Sequence, residues 1–583
     1  MHPNLGIHVD GFWLPKGVRK KLLTPQTEFI TSSFTHGRPC EPEAKGAITA
    51  RWPRLLEGHW RILLDELENN RQAAPTGQEF WDRLLEALRK VGERFSDPSD
   101  NLYIQALNYL PGYTGYSEPM IRLTVGSLGL FSLEKFPSAF TFSPTNHSKR
   151  YWQEIPGLPG RLRYYPGLRI RSRFSRRLPR ISPVPSITKR ALFRKTNLPE
   201  VIVGYGAGNI PGTALLISFL SQSITLAGGK VPVTIIKNSR NEPIFSPLVL
   251  GALEVVDPEL FSTVAVLVWD YEDAFIQDFL INRADLVIAA ASDETISEIQ
   301  TQIDHYLNEQ NRKSSHIVRF HPHGHKVSFS AINRQMLHKE NIDEKSGQSI
   351  FDIVTLLAAL DSVFWDQHGC LSSRVHFVET ASDEYHSPGE YARRLVEQLR
   401  LLANIIPRGA WPLQQLHDRF DRYKHLEMAG KVQVMSQYGD EFLVILENRC
   451  LTPPVFHSQV NDCQGRVIVV QPISCFREIP SRYLRMLPPK NLQSLSVAIG
   501  SPGEGLTDSF LHFSEMCGAC GITAIRTIGR AAFPQLAYSW DGFIPLDLAR
   551  QRSKGYFTTI EFNFPYEQIL ETFQLLQDLE VVT

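Results

Sequence analysis

A surplus of charge of either sign is missing from this chain. Its 583 residues carry 61 lysines and arginines against 61 aspartates and glutamates, a formal net charge of zero. Such a balance implies no global polyelectrolyte partner. Cysteine is scarce: Cys40, Cys370, Cys450, Cys463, Cys475, Cys517 and Cys520 form an odd, irregularly spaced set. That pattern argues against a secreted disulfide framework and makes a reducing cytoplasm the default setting. The opening MHPNLGIHVDGFWLPKG lacks an apolar run long enough for a signal peptide. Residues 201–229 hold no charged residue, yet Gly204, Gly206, Gly208, Asn209, Pro211 and Gly212 interrupt them near the start. A membrane helix needs roughly 20 apolar residues, so a buried strand, a turn and a buried helix describe the segment better than an integral membrane span. No internal repeat is present.

What is there describes a folded, multidomain protein. Hydrophobic residues make up 43% and charged residues 21%, and a chain this long exceeds one ordinary core. Residues 1–75, rich in Pro and Gly, read as an irregular N-terminal arm or a small strand-containing lobe. Residues 76–146 read as a helical lead-in, with Phe80, Leu84, Leu85, Leu88 and Val91 at helical spacing. Residues 147–199 form a basic insertion; fourteen Lys or Arg and the single acid Glu154 fall within 147–195. This segment is either a surface for polyanions or a solvated insertion balanced elsewhere, and the zero net charge favours the second, without nucleic acid as a partner. Across 200–362, β-rich runs at 201–203, 233–236, 264–269, 286–290 and 317–320 alternate with helical runs. That alternation predicts a parallel sheet faced by helices, a Rossmann-type nucleotide-binding domain. Residues 363–555 read as a second α/β unit, a catalytic domain with a cysteine nucleophile, and 556–583 as a strand and a helix.

Two segments carry chemistry. Asp366-Gln367-His368-Gly369-Cys370 is followed by the β-branched run Val375-His376-Phe377-Val378. Free cysteines mostly fill cores, but Cys370 has small or polar neighbours and lies at a predicted domain junction, where clefts form. The second segment is Gly204-Tyr205-Gly206-Ala207-Gly208-Asn209-Ile210-Pro211-Gly212. As a tight strand-to-helix turn it is unremarkable on its own. Asn209 within it offers an amide to a developing oxyanion. Lys237-Asn238-Ser239, just past a strand, suits a ribose or phosphate contact. His321-Pro322-His323-Gly324-His325-Lys326 lacks an adjacent acid or cysteine to complete a metal site and reads as a polar loop, so no metal is expected. Cys517-Gly518-Ala519-Cys520 is a lone CxxC, with a redox or an incidental role left open.

With these residues in view, the chain resembles the LuxC family of acyl-CoA reductases, within the aldehyde dehydrogenase superfamily. Six segments carry the resemblance, in order: Leu110 to Ser117, Gly208-Asn209-Ile210-Pro211, Ile235 to Ser239, Val268-Trp269 with Ala284 to Ala289, Asp366 to Cys370, and Asp541-Gly542 with Pro545-Leu546. It implies an aldehyde dehydrogenase-like α/β fold and a long-chain acyl-CoA reductase that forms fatty aldehyde. Cys370 becomes the acylated nucleophile and Asn209 the oxyanion donor. Gly206, Gly208, Lys237 and Ser239 become cofactor contacts, with NADPH favoured over NADH. Asp293, Glu294 and His368 are the acid/base candidates, although the family's Gly-Gly-Glu-Asp stands here as Ala291-Ser292-Asp293-Glu294. The Glu-Leu-Gly-Gly of hydrolytic aldehyde dehydrogenases also has no counterpart in Val318-Arg319-Phe320-His321-Pro322. Expected partners are acyl-CoA, an acyl carrier or an acyl-protein synthetase, and further copies of the chain in a homo-oligomer. An acyl-phosphate reductase of the same fold and a catalytically silent nucleotide-binding protein are the alternatives.

Overall fold

The computed structural model describes residues 7–129, 137–142, 151–166, 198–270, 273–310, 318–380, 387–449, 451–544 and 555–580. Most of the basic run, and Pro545 and Leu546 of the late motif, lie outside these residues.

The alternation across 200–323 folds as a five-stranded, wholly parallel sheet. Its order is Arg319–His323, Leu286–Ala290, Val201–Tyr205, Val233–Lys237, Val264–Leu267. The inner strands are β-branched and buried on both faces, as strands covered by helices on either side must be. Helices Thr213–Ser223, Phe245–Val256, Ala274–Ile281 and Asp293–Gln310 make the crossovers. The chain runs outward from Val201–Tyr205 through two strands, then returns to its other side at Leu286–Ala290. That reversal opens a crevice at the carboxyl ends of the two strands, the usual ligand position in an open parallel sheet.

The second sheet has ten strands, and it corrects the boundary at 362/363. Val327–Ile332, assigned from sequence to the nucleotide domain, pairs in parallel with Ser373–Glu379 on one side and Leu492–Ala498 on the other. Helix Ile350–Val363 packs against Pro388–Ile405 of the same unit. The change of sheet falls in the short turn between His323 and Val327. The turn lies between two short strands that both mix polar with apolar residues, so no clean shift of pattern marks it.

Two other expectations change. Of the two readings of the N-terminal residues, the irregular arm gives way to the strand-containing lobe. Ile7–Asp10, Ile48–Pro53, Phe29–Thr35 and Arg38–Pro39 form a four-stranded sheet. Trp13 joins the edge of the nucleotide sheet through Trp13 N–H to Val266 O at 2.7 Å and Val266 N–H to Trp13 O at 2.9 Å. The described start of the basic insertion is also structural. Arg161–Pro166 pairs antiparallel with Gly555–Ile560 at the far side of the ten-stranded sheet, and Arg163 meets Glu515 at 2.6 Å. Among the described residues, no helix is long and apolar enough to cross a membrane.

Candidate active site

Cys370 is aimed by a strained turn. After helix Ile350–Val363, three successive non-glycine residues take the left-handed conformation: Trp365 at φ 55°, Asp366 at 47° and Gln367 at 63°. Each such residue costs roughly 1–2 kcal/mol, so the surroundings must hold them. The buried Asp366 carboxylate accepts from Arg466 Nε at 2.7 Å and from Gly409 N–H at 3.0 Å. The Gln367 amide donates to Ser373 O at 2.9 Å and accepts from Val467 N–H at 2.8 Å. Trp365 packs edge-on against Tyr116. The Cys370 carbonyl accepts from Ser328 Oγ at 2.8 Å. The motif residues before the nucleophile therefore build its support.

The glycine-rich turn meets this loop. Asn209 Nδ2 donates to His368 O at 2.9 Å, and the Tyr116 hydroxyl donates to the Asn209 carbonyl. Gly115, at φ 81°, accepts from Ala410 N–H at 2.7 Å. The Gly115-Tyr116 motif of the helical lead-in thus braces both the oxyanion candidate and the segment that holds Asp366. Toward the cofactor side, a Cβ on Gly208 would lie 2.1 Å from Ser239 Oγ. Only glycine lets this turn close over the end of Val233–Lys237.

These parts line a cleft of about 1130 Å³, reaching from Lys237, Ser239 and Arg240 to Cys370. Lys237 is half-buried, its ammonium 6.0 Å from the Trp269 ring, and makes no carboxylate ion pair among the described residues. Burial, with Arg240 nearby, pulls its ammonium down to about 8. An unpaired cation at a strand's carboxyl end, beside a turn that only glycine permits, fits the phosphates of a dinucleotide. On the other side of Cys370 is an apolar cavity of about 190 Å³, walled by Leu128, Phe219, Phe245, Phe364 and Phe533. Cys370 and Leu371 line both spaces.

Of the acid/base candidates, Asp293 and Glu294 open helix Asp293–Gln310 at the cleft. Asp293 is engaged by His325 N–H at 2.8 Å and faces Lys490 at 3.6 Å. The His368 ring stacks on Trp411, and burial lowers its basicity. The structure places other groups beside the nucleophile. His321 and His323, read from sequence as part of a polar loop, are buried on the edge strand at 6% and 5% exposure. The reason is local: Arg319–His323 is a strand in register with Leu286–Ala290, not a loop. His323 Nδ1 lies 2.8 Å from Asp541 Oδ2, and Gln493 Nε2 donates to Asp541 Oδ1 at 2.6 Å. Gln493 lines the same cleft as Cys370. Burial first, then the Asp541 charge, raises that thiol, while Gln493 and Lys326 act the other way. Asp541 was visible in sequence only as part of a late motif, and neither His323 nor Gln493 gave a signal of its role. Cys517 and Cys520 are buried elsewhere. Among the described residues, no group of three or more His, Cys, Asp or Glu is placed to hold a metal ion.

The sequence model of the acyl-CoA reductase (LuxC) family matches residues 195–551. The chain belongs to this family. The match spans the whole five-stranded sheet, seven strands of the ten-stranded one and every cleft residue named above. No curated protein matches the sequence. Among solved structures, the chain is similar to aldehyde dehydrogenase 21 from Physcomitrella patens, at 12% identity, with 97% of each chain covered and a TM-score of 0.53. It is also similar to the Delta-pyrroline-5-carboxylate dehydrogenase of Mycobacterium tuberculosis, at 12% identity, 96% of this chain, 91% of that chain and a TM-score of 0.54. A third is the 1-pyrroline-5-carboxylate dehydrogenase from Thermus, solved with bound NAD, at 11% identity, 96% and 94% coverage and a TM-score of 0.53. At such identities the likeness shows the fold, which is that of the aldehyde dehydrogenases. Family and fold together make this LuxC-family protein an oxidoreductase of the acyl and aldehyde level.

Proposed function

We propose that the protein reduces a fatty acyl thioester to the aldehyde with NADPH, through an acyl-enzyme on Cys370. One observation carries the reading: Cys370 stands where a polar cleft suited to a nucleotide meets an apolar cavity suited to an acyl chain. The thioester carbonyl is held at that junction. The Cys370 sulfur forms a bond to the carbonyl carbon, and the carrier thiol leaves as the tetrahedral adduct collapses. An amide nitrogen carries two hydrogens. Asn209 uses one to hold His368 O and turns the other, with the Cys370 backbone N–H, toward the oxyanion. The bound nicotinamide supplies the hydride that reduces the acyl-enzyme. The resulting thiohemiacetal breaks its C–S bond to release the aldehyde and restore the cysteine.

The preference for the 2′-phosphate rests on the strand Val233–Lys237. In NAD sites an acid near the end of this strand binds the ribose. Here the strand ends in Lys237, followed by Ser239 and Arg240. The nearby acid, Glu242, is turned inward, capping helix Phe245–Val256 through Phe245 N–H at 2.7 Å. The acyl donor is CoA, a carrier protein or a synthetase-bound acyl group. The test is a panel of acyl-CoAs and acyl phosphates with NADPH or NADH, following cofactor oxidation and aldehyde together. One aldehyde per NADPH from acyl-CoA supports the reading. Turnover of acyl phosphate alone, or none with any donor, refutes it.

A further inference from the structure

We propose that His323, held by Asp541, is the acid–base group of the thioester step. The proposal rests on Cys370 being the acylated nucleophile, and it gives the acid–base role to a residue outside the candidates Asp293, Glu294 and His368 named from sequence.

The geometry comes from an unusual turn. Asp541 and Gly542 both take positive φ, 48° and 88°, between Trp540 and Phe543, which exchange backbone bonds of 3.0 Å in both directions. This is the two-residue reverse turn that Asp-Gly favours. It sends the Asp541 carboxylate inward to His323 Nδ1. Trp540 lies flat on the imidazole, with ring centroids 3.8 Å apart and planes within 9°. The ring is therefore fixed in both plane and rotation. A carboxylate on Nδ1 selects the tautomer with the proton on that nitrogen and leaves Nε2 as the acceptor. His323 Nε2 is buried and has no partner among the described residues. Stranding a buried polar atom costs about 1–3 kcal/mol unless something meets it. His323, Cys370 and Gln493 line the same cleft, and Gln493 Nε2 donates to the Asp541 carboxylate that holds His323.

The charged and titratable groups acting on this array include Asp541, His321, Lys326, Arg374 and the Cys370 thiol. Burial would push Asp541 up, but Lys326, His323 and Gln493 outweigh it and keep the carboxyl ionised well below neutrality. Burial and Asp541 keep the thiol protonated near neutrality. A proton must therefore leave Cys370 as it attacks. Nε2 takes the thiol proton while the sulfur–carbon bond forms. The tetrahedral adduct then expels the carrier thiolate, and the same proton passes from Nε2 to it. One S–H and one thioester are consumed, one S–H and one thioester are formed, and His323 returns to its neutral state. A general acid–base group typically contributes 10²–10⁴-fold.

The test uses the full chain with three variants: His323→Gln, His323→Ala and Asp541→Asn. Acylation from acyl-CoA is followed by intact mass in a rapid-quench series. Alkylation of Cys370 by iodoacetamide is followed against pH without substrate. NADPH binding reports folding. His323→Gln is expected to acylate about 10²-fold or more slowly with NADPH binding retained. The loss should shrink for an aryl thioester, whose thiolate leaves without a proton, and imidazole should restore part of the His323→Ala rate. Asp541→Asn is the positioning variant. Its thiol should alkylate at lower pH, because a repelling charge has gone, while acylation slows; a merely loosened site would not split the two readouts in opposite directions. Acylation and alkylation by His323→Gln within threefold of the parent at every pH would overturn the proposal. If the parent itself takes no acyl group, the function proposed above fails, but an unchanged alkylation profile in His323→Gln still refutes the role of His323 separately.

Discussion

Arg466→Met is the perturbation whose consequence can be worked furthest from the structure. Arg466 is 1% exposed. Its Nε holds Asp366 at 2.7 Å, and its Nη2 donates to Ile406 O at 2.9 Å and Pro407 O at 3.1 Å. Methionine keeps much of the volume but takes the guanidinium from the buried Asp366 carboxylate, leaving its Gly409 N–H bond, and removes the Nη2 donor from two carbonyls. Breaking a buried pair from one side costs about 3–5 kcal/mol. The natural outlet is the turn itself, since Trp365, Asp366 and Gln367 already sit at positive φ and relax if Asp366 is released. At 1.36 kcal/mol per factor of ten, the loss raises opening of the 364–372 segment about 160- to 5,000-fold.

The assay is hydrogen exchange across that segment together with the rate of Cys370 acylation. Exchange should accelerate there while the strand Val201–Tyr205 keeps its protection, and acylation should fall in parallel. The double variant Asp366→Asn/Arg466→Met removes both charges. It should recover part of the loss, as coupled pairs do in a double-mutant cycle. Unchanged exchange at 364–372 in Arg466→Met, or a double variant worse than the sum of the singles, would refute the idea that this pair holds the nucleophile turn.

Asn209→Ala removes the amide that holds His368 O and faces the carbonyl; acylation should drop about 10²–10³-fold, with NADPH affinity changing less than threefold by fluorescence titration. Lys237 is charged below about pH 8 and neutral above it, so kcat/KM for NADPH should decline as pH rises through that value in steady-state assays, while that for NADH stays level. The apolar cavity predicts a ladder in acyl-chain length: each methylene buried is worth about 0.8 kcal/mol, so kcat/KM in an acyl-CoA series should climb about fourfold per carbon until the cavity is full, and Phe533→Trp should move the plateau to shorter chains.

What could be read from the sequence was local. The β-branched runs and helical spacings across 200–323 carry their own period, and the five-stranded sheet follows from them. Cys370 and Asn209 stood in short motifs with unusual neighbours. The parts that escaped depend on pairings between distant segments. Arg161–Pro166 finds Gly555–Ile560 nearly four hundred residues away, and nothing in a run of arginines and tyrosines states that partner. Val327–Ile332 has the pattern of any buried strand, so its move to the second sheet left no mark. His323 reads as one of three alternating histidines. Its burial depends on pairing with Leu286–Ala290, and its role depends on a turn more than two hundred residues later that delivers Asp541.

The central claim is that one sulfur passes an acyl group from a thioester to a hydride. It is tested most directly in a single turnover. The protein is mixed with acyl-CoA in the absence of NADPH, its intact mass and the modified peptide are measured, and NADPH is then added. The account predicts one acyl adduct, located on Cys370 and absent from Cys370→Ala, that disappears on adding NADPH as an equal amount of aldehyde forms. An adduct on Cys517 or Cys520, or aldehyde produced at the parent rate by Cys370→Ala, would contradict it.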